Sequence, residues 1–367
     1  MRLAGPVLIA AGGTGGHLFP AEALGNALKA RGIAVELATD VRAQQYGGDF
    51  PARAIHQIVA ATPSGGPILR RAKAAVTLLA GTFAALRLLR RLRPAAVVGF
   101  GGYPTVAPVL AATLLRIPTI VHEQNAVIGR ANRFLAGRVD AVATGFPTLK
   151  GAGSAVEAKT YYTGNPVRPS VIAAAATAYP DASQFTLLVI GGSQGARIMA
   201  DVVPAGVALM PEAGRHDLVI AQQARGEDQA RVRQTYADLA VNAEVLPFFP
   251  DLPARMAAAN LVIGRAGAST IAELAVIGRP AILVPFPHAL DQDQAANAAH
   301  LGAIGAAVVV AQQDFTPRWL AAALCEARQQ LAALRGRAAA ARSAGIADAA
   351  ERLADLVLRL ARREDKA

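Results

Sequence analysis

Residues 6–17 read PVLIAAGGTGGH, in which a short apolar run ends in a glycine-rich loop. Such a run predicts a buried strand, and glycines between a strand and a helix let the backbone approach a phosphate. Three further apolar runs end in glycine loops, at residues 99–102 (GFGG), 191–195 (GGSQG) and 264–267 (GRAG). One such loop is a weak signal, because glycine also makes a tight turn. Four loops, each after a strand, predict phosphate-binding α/β domains.

Short apolar runs alternate with stretches of helix length along the chain. The predicted strands cover residues 6–11, 34–39, 95–99, 119–122, 140–144, 185–190, 217–221, 260–263, 281–285 and 306–310. The predicted helices include residues 20–31, 70–93, 196–210, 269–277 and 292–301, and the chain after about residue 317. Buried strands that alternate with helices predict parallel, doubly wound sheets. The pattern pauses near residues 150–162, so we place a domain junction at Gly164-Asn165-Pro166.

Composition and charge narrow the class of protein. With 367 residues, 53% of them hydrophobic and 17% charged, the chain can bury two cores. Cys325 is the single cysteine and fits a reducing cytosol. Residues 1–165 carry 18 Lys and Arg against 7 Asp and Glu, whereas the remainder carries 19 of each. This asymmetry predicts an anionic partner for the first half, and aromatic residues at only 5% disfavour nucleic acid.

Two polar clusters follow predicted strands in the first half. His17 stands at a helix start, where the positive end of the helix dipole favours a neutral imidazole that can accept a proton. HEQN at residues 122–125 places four polar side chains where a buried strand ends. A dinucleotide-dependent oxidoreductase is the main alternative, with Asp40 as the ribose ligand. Its fingerprint G-x-G-x-x-G fails, because Leu18 occupies the third glycine position.

The second half places hydroxyl and carboxylate groups at a predicted helix start. Ser269 and Thr270 begin this helix, and Glu273 follows one turn later on the same face. Glu273 either caps the helix or accepts both hydroxyls of a ribose. Arg168, just after the junction, could reach a diphosphate.

An ordered set of motifs spans nearly the whole chain: GGTGGHLFP, GGYP, HEQN, GNPVR, GGSQGAR, RAGAST-x-x-E and PFPHALDQDQAANA. This set resembles that of the bacterial MurG-type transferases. The resemblance implies the GT-B fold: two Rossmann-like, doubly wound parallel-sheet α/β domains facing a cleft, with a C-terminal helix crossing back to the first domain. It also implies transfer of N-acetylglucosamine from UDP-GlcNAc to the 4-hydroxyl of MurNAc in lipid I (undecaprenyl-diphospho-MurNAc-pentapeptide), forming lipid II with inversion.

The resemblance also implies roles for single residues. The general base would be His17, with Glu123 as a second candidate. Contacts to the donor sugar or its phosphates are implied for Thr14, Gly15, Gly16, Asn125 and Gln294. Phosphate contacts are implied for Arg168, Ser193, Ala268, Ser269 and Thr270. Phe249 would lie at the uracil, Glu273 would bind the ribose, and the loop with Tyr103 would face the acceptor diphosphate, although Pro104 to Ala107 depart there from the expected Ser-Gly-Pro.

Residues 291–293 spell D-x-D, which binds a divalent metal in another glycosyltransferase class. Here Asp291 and Asp293 precede a predicted helix, where acidic residues are expected as N-terminal caps. Helix N-termini, Arg168 and hydroxyl groups can stabilise the leaving UDP without a metal. We therefore expect no cofactor and no metal requirement.

Residues 70–93 predict a helix with basic ends and an apolar face. The basic residues are Arg70, Arg71, Lys73, Arg87, Arg90, Arg91 and Arg93, and the apolar face holds Val76, Leu79, Phe83 and Leu86. Such a helix suits anionic phospholipid, although a core helix with solvated ends is the alternative. We expect a peripheral protein on the cytoplasmic face of the inner membrane.

The expected division is an acceptor- and membrane-facing domain at residues 1–164, a UDP-GlcNAc-binding domain at 165–347, and a C-terminal helix at 348–367. Two alternative functions remain open at this stage. One is a related GT-B transferase that acts on another lipid acceptor, such as diacylglycerol. The other is a non-catalytic nucleotide or RNA binder that uses the basic half.

Overall fold

A computed structural model describes residues 3–12, 15–40, 50–58, 68–181, 184–192, 195–289 and 292–362, with the backbone alone for residues 68–74. The chain forms two compact units, residues 1–168 with 347–367 and residues 169–346. Each unit contains one parallel sheet flanked by helices. Both units thus have the predicted doubly wound architecture.

The first unit contains a seven-stranded parallel sheet. Its strands are β1 (Val7–Ala10), β2 (Val35–Thr39), β3 (Ile55–Gln57), β4 (Ala96–Gly99), β5 (Thr119–Glu123), β6 (Ala141–Thr144) and β7 (Thr160–Tyr162), in the order β3-β2-β1-β4-β5-β6-β7. Its helices before residue 168 are α1 (Gly15–Ala30), α2 (Ile68–Leu92), α3 (Tyr103–Leu114), α4 (Arg130–Ala136) and α5 (Ser154–Glu157). Successive residues of β1 enter opposite cores, because strand side chains alternate between the two faces.

The second unit contains a six-stranded parallel sheet. Its strands are β8 (Phe185–Ile190), β9 (Leu218–Gln223), β10 (Asn242–Leu246), β11 (Leu261–Gly264), β12 (Ala281–Leu283) and β13 (Ala307–Val309), in the order β10-β9-β8-β11-β12-β13. Its helices are α6 (Pro169–Ala174), α7 (Arg197–Ala208), α8 (Gly226–Asp238), α9 (Leu252–Ala258), α10 (Ala268–Ile277), α11 (Asp293–Ala303), α12 (Pro317–Gln329) and α13 (Leu331–Ser343), with a 3-10 turn at Glu212–Gly214.

The last helix, α14 (Ala349–Ala361), returns to the first unit. Leu353, Val357 and Leu360 of this helix join the core that α1 forms with the first sheet. Arg31 at the end of α1 lies 2.5 Å from the Asp355 carboxylate. The predicted C-terminal helix that crosses back to the first domain is therefore confirmed.

The ten strands predicted from the sequence are present, with ends shifted by at most two residues. The structure adds β3, β7 and β10, and each of these lies at the edge of its sheet. Their side chains are largely exposed, so they lack the continuous apolar run that marks a strand buried on both faces.

The helix predicted for residues 20–31 begins earlier, at Gly15. Gly15, Gly16 and His17 therefore form its first turn. Pro20 lies in its second turn and supplies no N–H to the Gly16 carbonyl. None of the helices in the described ranges is long and apolar enough to span a membrane.

Candidate active site

The glycine loops after β1 and β4 meet where the strand order of the first sheet reverses. These strands are neighbours although more than 80 residues separate them in the chain. A Cβ placed on Gly12 would lie 3.4 Å from the Gly101 carbonyl oxygen and 3.4 Å from Gly102 Cα. Open α/β sheets bind ligands in the crevice at such a reversal.

The imidazole of His17 packs against these two loops. A Cβ on Gly101 would lie 3.3 Å from its Cε1, and a Cβ on Gly102 would lie 3.4 Å from its Cδ2. Both glycines have positive φ, 86° and 74°, a conformation that side chains disfavour. His17 Nδ1 lies 3.1 Å from Gln124 Oε1. The second glycine loop therefore makes room for the imidazole as well as forming a turn.

Glu123, at the end of β5, is buried and its carboxylate accepts four hydrogen bonds. Oε1 accepts from the backbone N–H of Asn125 at 3.0 Å and from its Nδ2 at 3.2 Å. Oε2 accepts from the Gly129 N–H at 2.9 Å and from Asn132 Nδ2 at 2.8 Å. The carboxylate thereby fixes the loop that carries Asn125, whose side chain is half-buried.

Arg168 is the residue at which the chain leaves the first unit. Its side chain stacks on an aromatic ring. Its guanidinium carbon lies 4.2 Å from the centroid of Phe19, a cation–π geometry. A Cβ on Gly15 would lie 3.0 Å from the same ring, so Gly15 and Arg168 share Phe19 as a neighbour. Phe19 belongs to the GGTGGHLFP motif, yet its role beneath an arginine 149 positions later has no signal in the sequence.

The remaining predicted positions of the first unit are at the helix starts. Gly16 is exposed on α1 and Tyr103, the first residue of α3, is half-buried. Thr14 lies outside the described residues. The side chains of Pro104 to Ala107 are buried. The Thr105 hydroxyl is shared between the carbonyls of Ala10 at 3.1 Å and Gly101 at 2.6 Å, so this segment ties the two glycine loops together.

Gln223 organises the loop after β8 in the second unit. Its Oε1 accepts from the Gly191 N–H at 3.0 Å. Its Nε2 donates to the carbonyls of Gly192 at 3.1 Å and Pro247 at 3.0 Å. Gln223 therefore joins the glycine loop to the segment that follows β10, a role that sequence reasoning missed. Ser193 of the same loop lies outside the described residues.

Phe249 lies two residues beyond Pro247 and is buried. The guanidinium carbon of Arg255 lies 4.4 Å from the centroid of its ring. The aromatic ring of Phe249 is therefore enclosed by the protein.

The start of α10 follows β11 at the reversal point of the second sheet. Ala268 and Glu273 are buried, whereas Ser269 and Thr270 are half-buried. Ser269 Oγ is enclosed and makes no hydrogen bond to any group in the described ranges. The free backbone N–H groups and the dipole of a helix start favour a bound anion, and phosphate is a common one.

Gln294, in the first turn of α11, accepts from the Phe286 N–H through Oε1 at 3.0 Å. Asp293 Oδ1 accepts from the Gln294 N–H at 2.8 Å, but the N-cap position of α11 is Gln292, so Asp293 is not the helix cap expected from the sequence. One turn on, the buried Asn297 donates through Nδ2 to the Ala266 carbonyl at 3.2 Å. This bond places α11 beside the loop that leads into α10.

Arg265 is a second residue that the sequence reasoning missed. Its Nη1 donates to the carbonyls of Val284 at 2.9 Å and Pro285 at 3.2 Å, and its Nη2 donates to Gln312 Oε1 at 2.6 Å. Burial lowers the pKa of its guanidinium. Arg265 thus holds the loops after β11 and β12 together. Among the described residues, no three His, Cys, Asp or Glu side chains form a cluster that could hold a metal ion, and Asp291 lies outside them.

Comparison with known proteins gives the family. The model of the glycosyltransferase family 28 N-terminal domain matches residues 7–144, and that of the family 28 C-terminal domain matches residues 186–353. The crystal structure of MurG from Acinetobacter baumannii superposes with a TM-score of 0.78 at 30% identity, covering 96% of this chain and 99% of that one.

Curated relatives match over nearly their whole length. A protein of Methylorubrum populi is 57% identical over 355 residues, which is 96% of either chain. One of Brucella suis is 55% identical over 96% of this chain and 93% of its own. Both are named UDP-N-acetylglucosamine–N-acetylmuramyl-(pentapeptide) pyrophosphoryl-undecaprenol N-acetylglucosamine transferase. This chain belongs to glycosyltransferase family 28 and, within it, to the family of these MurG transferases.

Proposed function

We propose that this chain transfers N-acetylglucosamine from UDP-GlcNAc to the 4-hydroxyl of MurNAc in lipid I, which yields lipid II and UDP. The observation that carries this proposal is the 57% identity over 96% of both chains with a transferase named for that reaction. We assign acceptor binding to residues 1–164, donor binding to residues 165–347, and a bracing role to the helix within 348–367. The product is a building block of peptidoglycan.

His17 is our choice of general base. An inverting transfer is a single displacement, in which one base takes the proton of the attacking hydroxyl. His17 Nδ1 faces Gln124, and its Nε2 makes no hydrogen bond within the part of the chain that the structure describes. Glu123 offers no such free position, because four donors already occupy its carboxylate.

We place the donor on the second unit, with the diphosphate at the start of α10. Ser269 and Thr270 supply hydroxyl groups there, and the buried Glu273 one turn later would bind the ribose. Gln294 would contact the sugar, and the backbone at Phe249 would meet the uracil. Thr14, Gly15, Gly16, Tyr103, Asn125, Arg168, Ser193 and Ala268 keep the contacts that the resemblance implies.

We infer that departure of UDP needs no metal ion. The charge that develops on the leaving diphosphate can be stabilised by a helix start, by hydroxyl groups and by the Arg168 guanidinium. Asp293 Oδ1 already accepts from the N–H of the next residue in α11. Turnover should therefore be unchanged when excess EDTA is added, and a loss that Mg²⁺ or Mn²⁺ restores would contradict this inference.

We also propose that α2 attaches the protein to anionic phospholipid at the cytoplasmic face of the inner membrane. Val76, Leu79 and Phe83 are 65%, 70% and 54% exposed, so the apolar face points away from the core. The Arg87 guanidinium carbon lies 4.3 Å from the Phe83 ring centroid. Leu86 was expected on the same apolar face, but in the structure it packs against the core of the first unit.

Vesicle binding tests this attachment. Phe83→Asp should reduce co-flotation with vesicles of anionic lipid at low salt, since it places a negative charge on the apolar face. Ala84→Asp is the matched control, because Ala84 is exposed on the next position of the same helix. Equal flotation of the wild type and both variants would contradict the attachment.

An acceptor assay tests the reaction itself. Purified protein given UDP-GlcNAc and a lipid I analogue should release UDP in equal amount to the disaccharide product. Diacylglycerol in place of the analogue should give no release. Release with diacylglycerol alone, or no release with the lipid I analogue, would contradict the proposed function.

A further inference from the structure

A chain of hydrogen bonds leads from His17 into the interior of the first unit. His17 Nδ1 lies 3.1 Å from Gln124 Oε1, and Gln124 Nε2 lies 3.1 Å from His122 Nδ1. His122 Nε2 lies 3.1 Å from the carbonyl oxygen of Gly164. The four residues come from α1, from the end of β5, and from the segment that leads out of the first unit.

The direction of donation follows from the Gly164 end of the chain. A carbonyl oxygen can only accept, so His122 Nε2 carries a proton and donates it. His122 is fully buried and stacks on Phe100, and burial lowers its pKa to about 4. The ring is therefore neutral at physiological pH, which leaves His122 Nδ1 as an acceptor.

The amide of Gln124 can then be oriented in one way only. Its Nε2 lies 3.0 Å from the His122 carbonyl oxygen as well as 3.1 Å from His122 Nδ1, and both of these groups are acceptors. The two amide protons satisfy them. Gln124 Oε1 consequently faces His17, and an amide oxygen can only accept. His17 Nδ1 therefore carries a proton, and in the neutral form of the ring, the form that can act as a base, Nε2 carries the free lone pair.

We propose that Gln124 is a positioning residue that sets the tautomer of His17, and that His122 holds Gln124 in the required orientation. The inference rests on the proposed function, in which His17 Nε2 takes the proton of the acceptor hydroxyl. Without the amide oxygen, a neutral His17 can carry its proton on Nε2, where it blocks the base. Gly101 and Gly102 pack against the imidazole and limit its rotation. The hydrogen bond to Gln124 therefore determines which ring nitrogen is protonated.

Imidazole nitrogen spectroscopy tests the tautomer directly. In protein labelled with ¹⁵N-histidine, two-bond proton–nitrogen correlations should show that Nδ1 of His17 is protonated and that its Nε2 is not. The signals of His17 are assigned as those that disappear in His17→Ala. In Gln124→Leu the protonated nitrogen should shift toward Nε2. Gln57→Leu, which removes an exposed glutamine from β3 of the same sheet, should leave the spectrum of His17 unchanged. An unchanged tautomer in Gln124→Leu would overturn the inference.

Kinetics separate this inference from the assignment of the base. Gln124→Leu should lower kcat about 100-fold with the KM for UDP-GlcNAc unchanged, since general-base catalysis commonly contributes about 10²–10⁴-fold. A shifted tautomer with an undiminished kcat would uphold the role of Gln124 and contradict His17 as the base. Gln124→Met also removes the amide oxygen, with an unbranched side chain of similar length, and serves if the leucine variant fails to fold. An unchanged tautomer in Gln124→Met would likewise overturn the inference.

Discussion

The polar groups after β5 in the first unit and those at the start of α10 in the second unit are satisfied in different ways. Glu123 accepts four hydrogen bonds and Gln124 has acceptors for both amide protons, all from neighbouring groups of the protein. Ser269 Oγ is enclosed yet makes no hydrogen bond to a described residue. A buried polar group without a partner is costly, and a bound ligand is one way to complete it.

The difference separates positioning from binding. In the first unit the protein itself satisfies the Glu123 carboxylate and the Gln124 amide, and Gln124 contacts the imidazole of His17. In the second unit Ser269 Oγ keeps an unused hydrogen-bonding capacity, which the proposed donor contact would use. Substitutions in the two regions should accordingly affect different quantities, namely kcat and folding stability in the first, and donor affinity in the second.

The largest effect is expected for His17→Ala. Loss of the base should lower kcat by about 10²–10⁴-fold, while the KM for UDP-GlcNAc changes little. Steady-state kinetics with a lipid I analogue measure both quantities. His216→Ala, at an exposed histidine of the second unit, serves as the control. If the kcat of His17→Ala is within twofold of the wild-type value, His17 is not the general base.

Glu123→Ala should act mainly on folding. It leaves the Asn125 and Gly129 N–H groups and Asn132 Nδ2 without their acceptor, which should lower the free energy of unfolding by about 3 kcal/mol. Urea unfolding measures this, with the exposed Glu157→Ala as the control. If the stability is unchanged while kcat collapses, Glu123 is the base and the proposed division of roles is wrong.

The buried His122 should make folding stability depend on pH. Burial lowers its pKa from 6.5 to about 4 in the folded chain, so between these values the unfolded chain binds a proton that the folded chain lacks. The free energy of unfolding should therefore fall as the pH drops, by about 2 kcal/mol from pH 7 to pH 5.

Urea titrations at the two pH values test this dependence. His122→Phe should lose that part of the dependence, whereas His216→Phe should retain it. An identical pH dependence in the wild type and in His122→Phe would show that His122 is not held neutral by burial.

The smallest effect is expected for Ser269→Ala. Its hydroxyl has no partner to lose among the described residues, so stability should be unchanged or slightly higher. The KM for UDP-GlcNAc should rise about fivefold, since one hydrogen bond contributes about 1 kcal/mol. Ser343→Ala, at an exposed serine that bonds its own helix, is the control. A marked loss of stability with unchanged KM would contradict the comparison.

The sequence was most informative where a segment is buried on both faces. The sequence predicts all the central strands, because a continuous apolar run that ends in glycine has few other interpretations. The edge strands β3, β7 and β10 were missed, since their exposed residues carry no such pattern. The C-terminal helix was expected from the resemblance, and its contact with α1 needed the structure.

The sequence indicates which residues belong to the candidate site, but it does not indicate which hydrogen bonds these residues make. HEQN was recognised as a polar segment, but the partners of Gln124 and Glu123 depend on side-chain orientations that no spacing encodes. Gln223 and Arg265 were missed for a related reason. Each binds backbone carbonyls of a neighbouring loop, and such contacts leave no motif in the sequence.

The stereochemistry of the product tests the central claim most directly. UDP-GlcNAc carries an α-linked sugar, so a single displacement assisted by His17 gives a β-linked product. Purified protein should convert UDP-GlcNAc and a lipid I analogue to a disaccharide with a β-1,4 linkage, which the anomeric proton coupling constant identifies. An α-linked product would require a covalent intermediate or a different transition state, and would contradict the role assigned to His17.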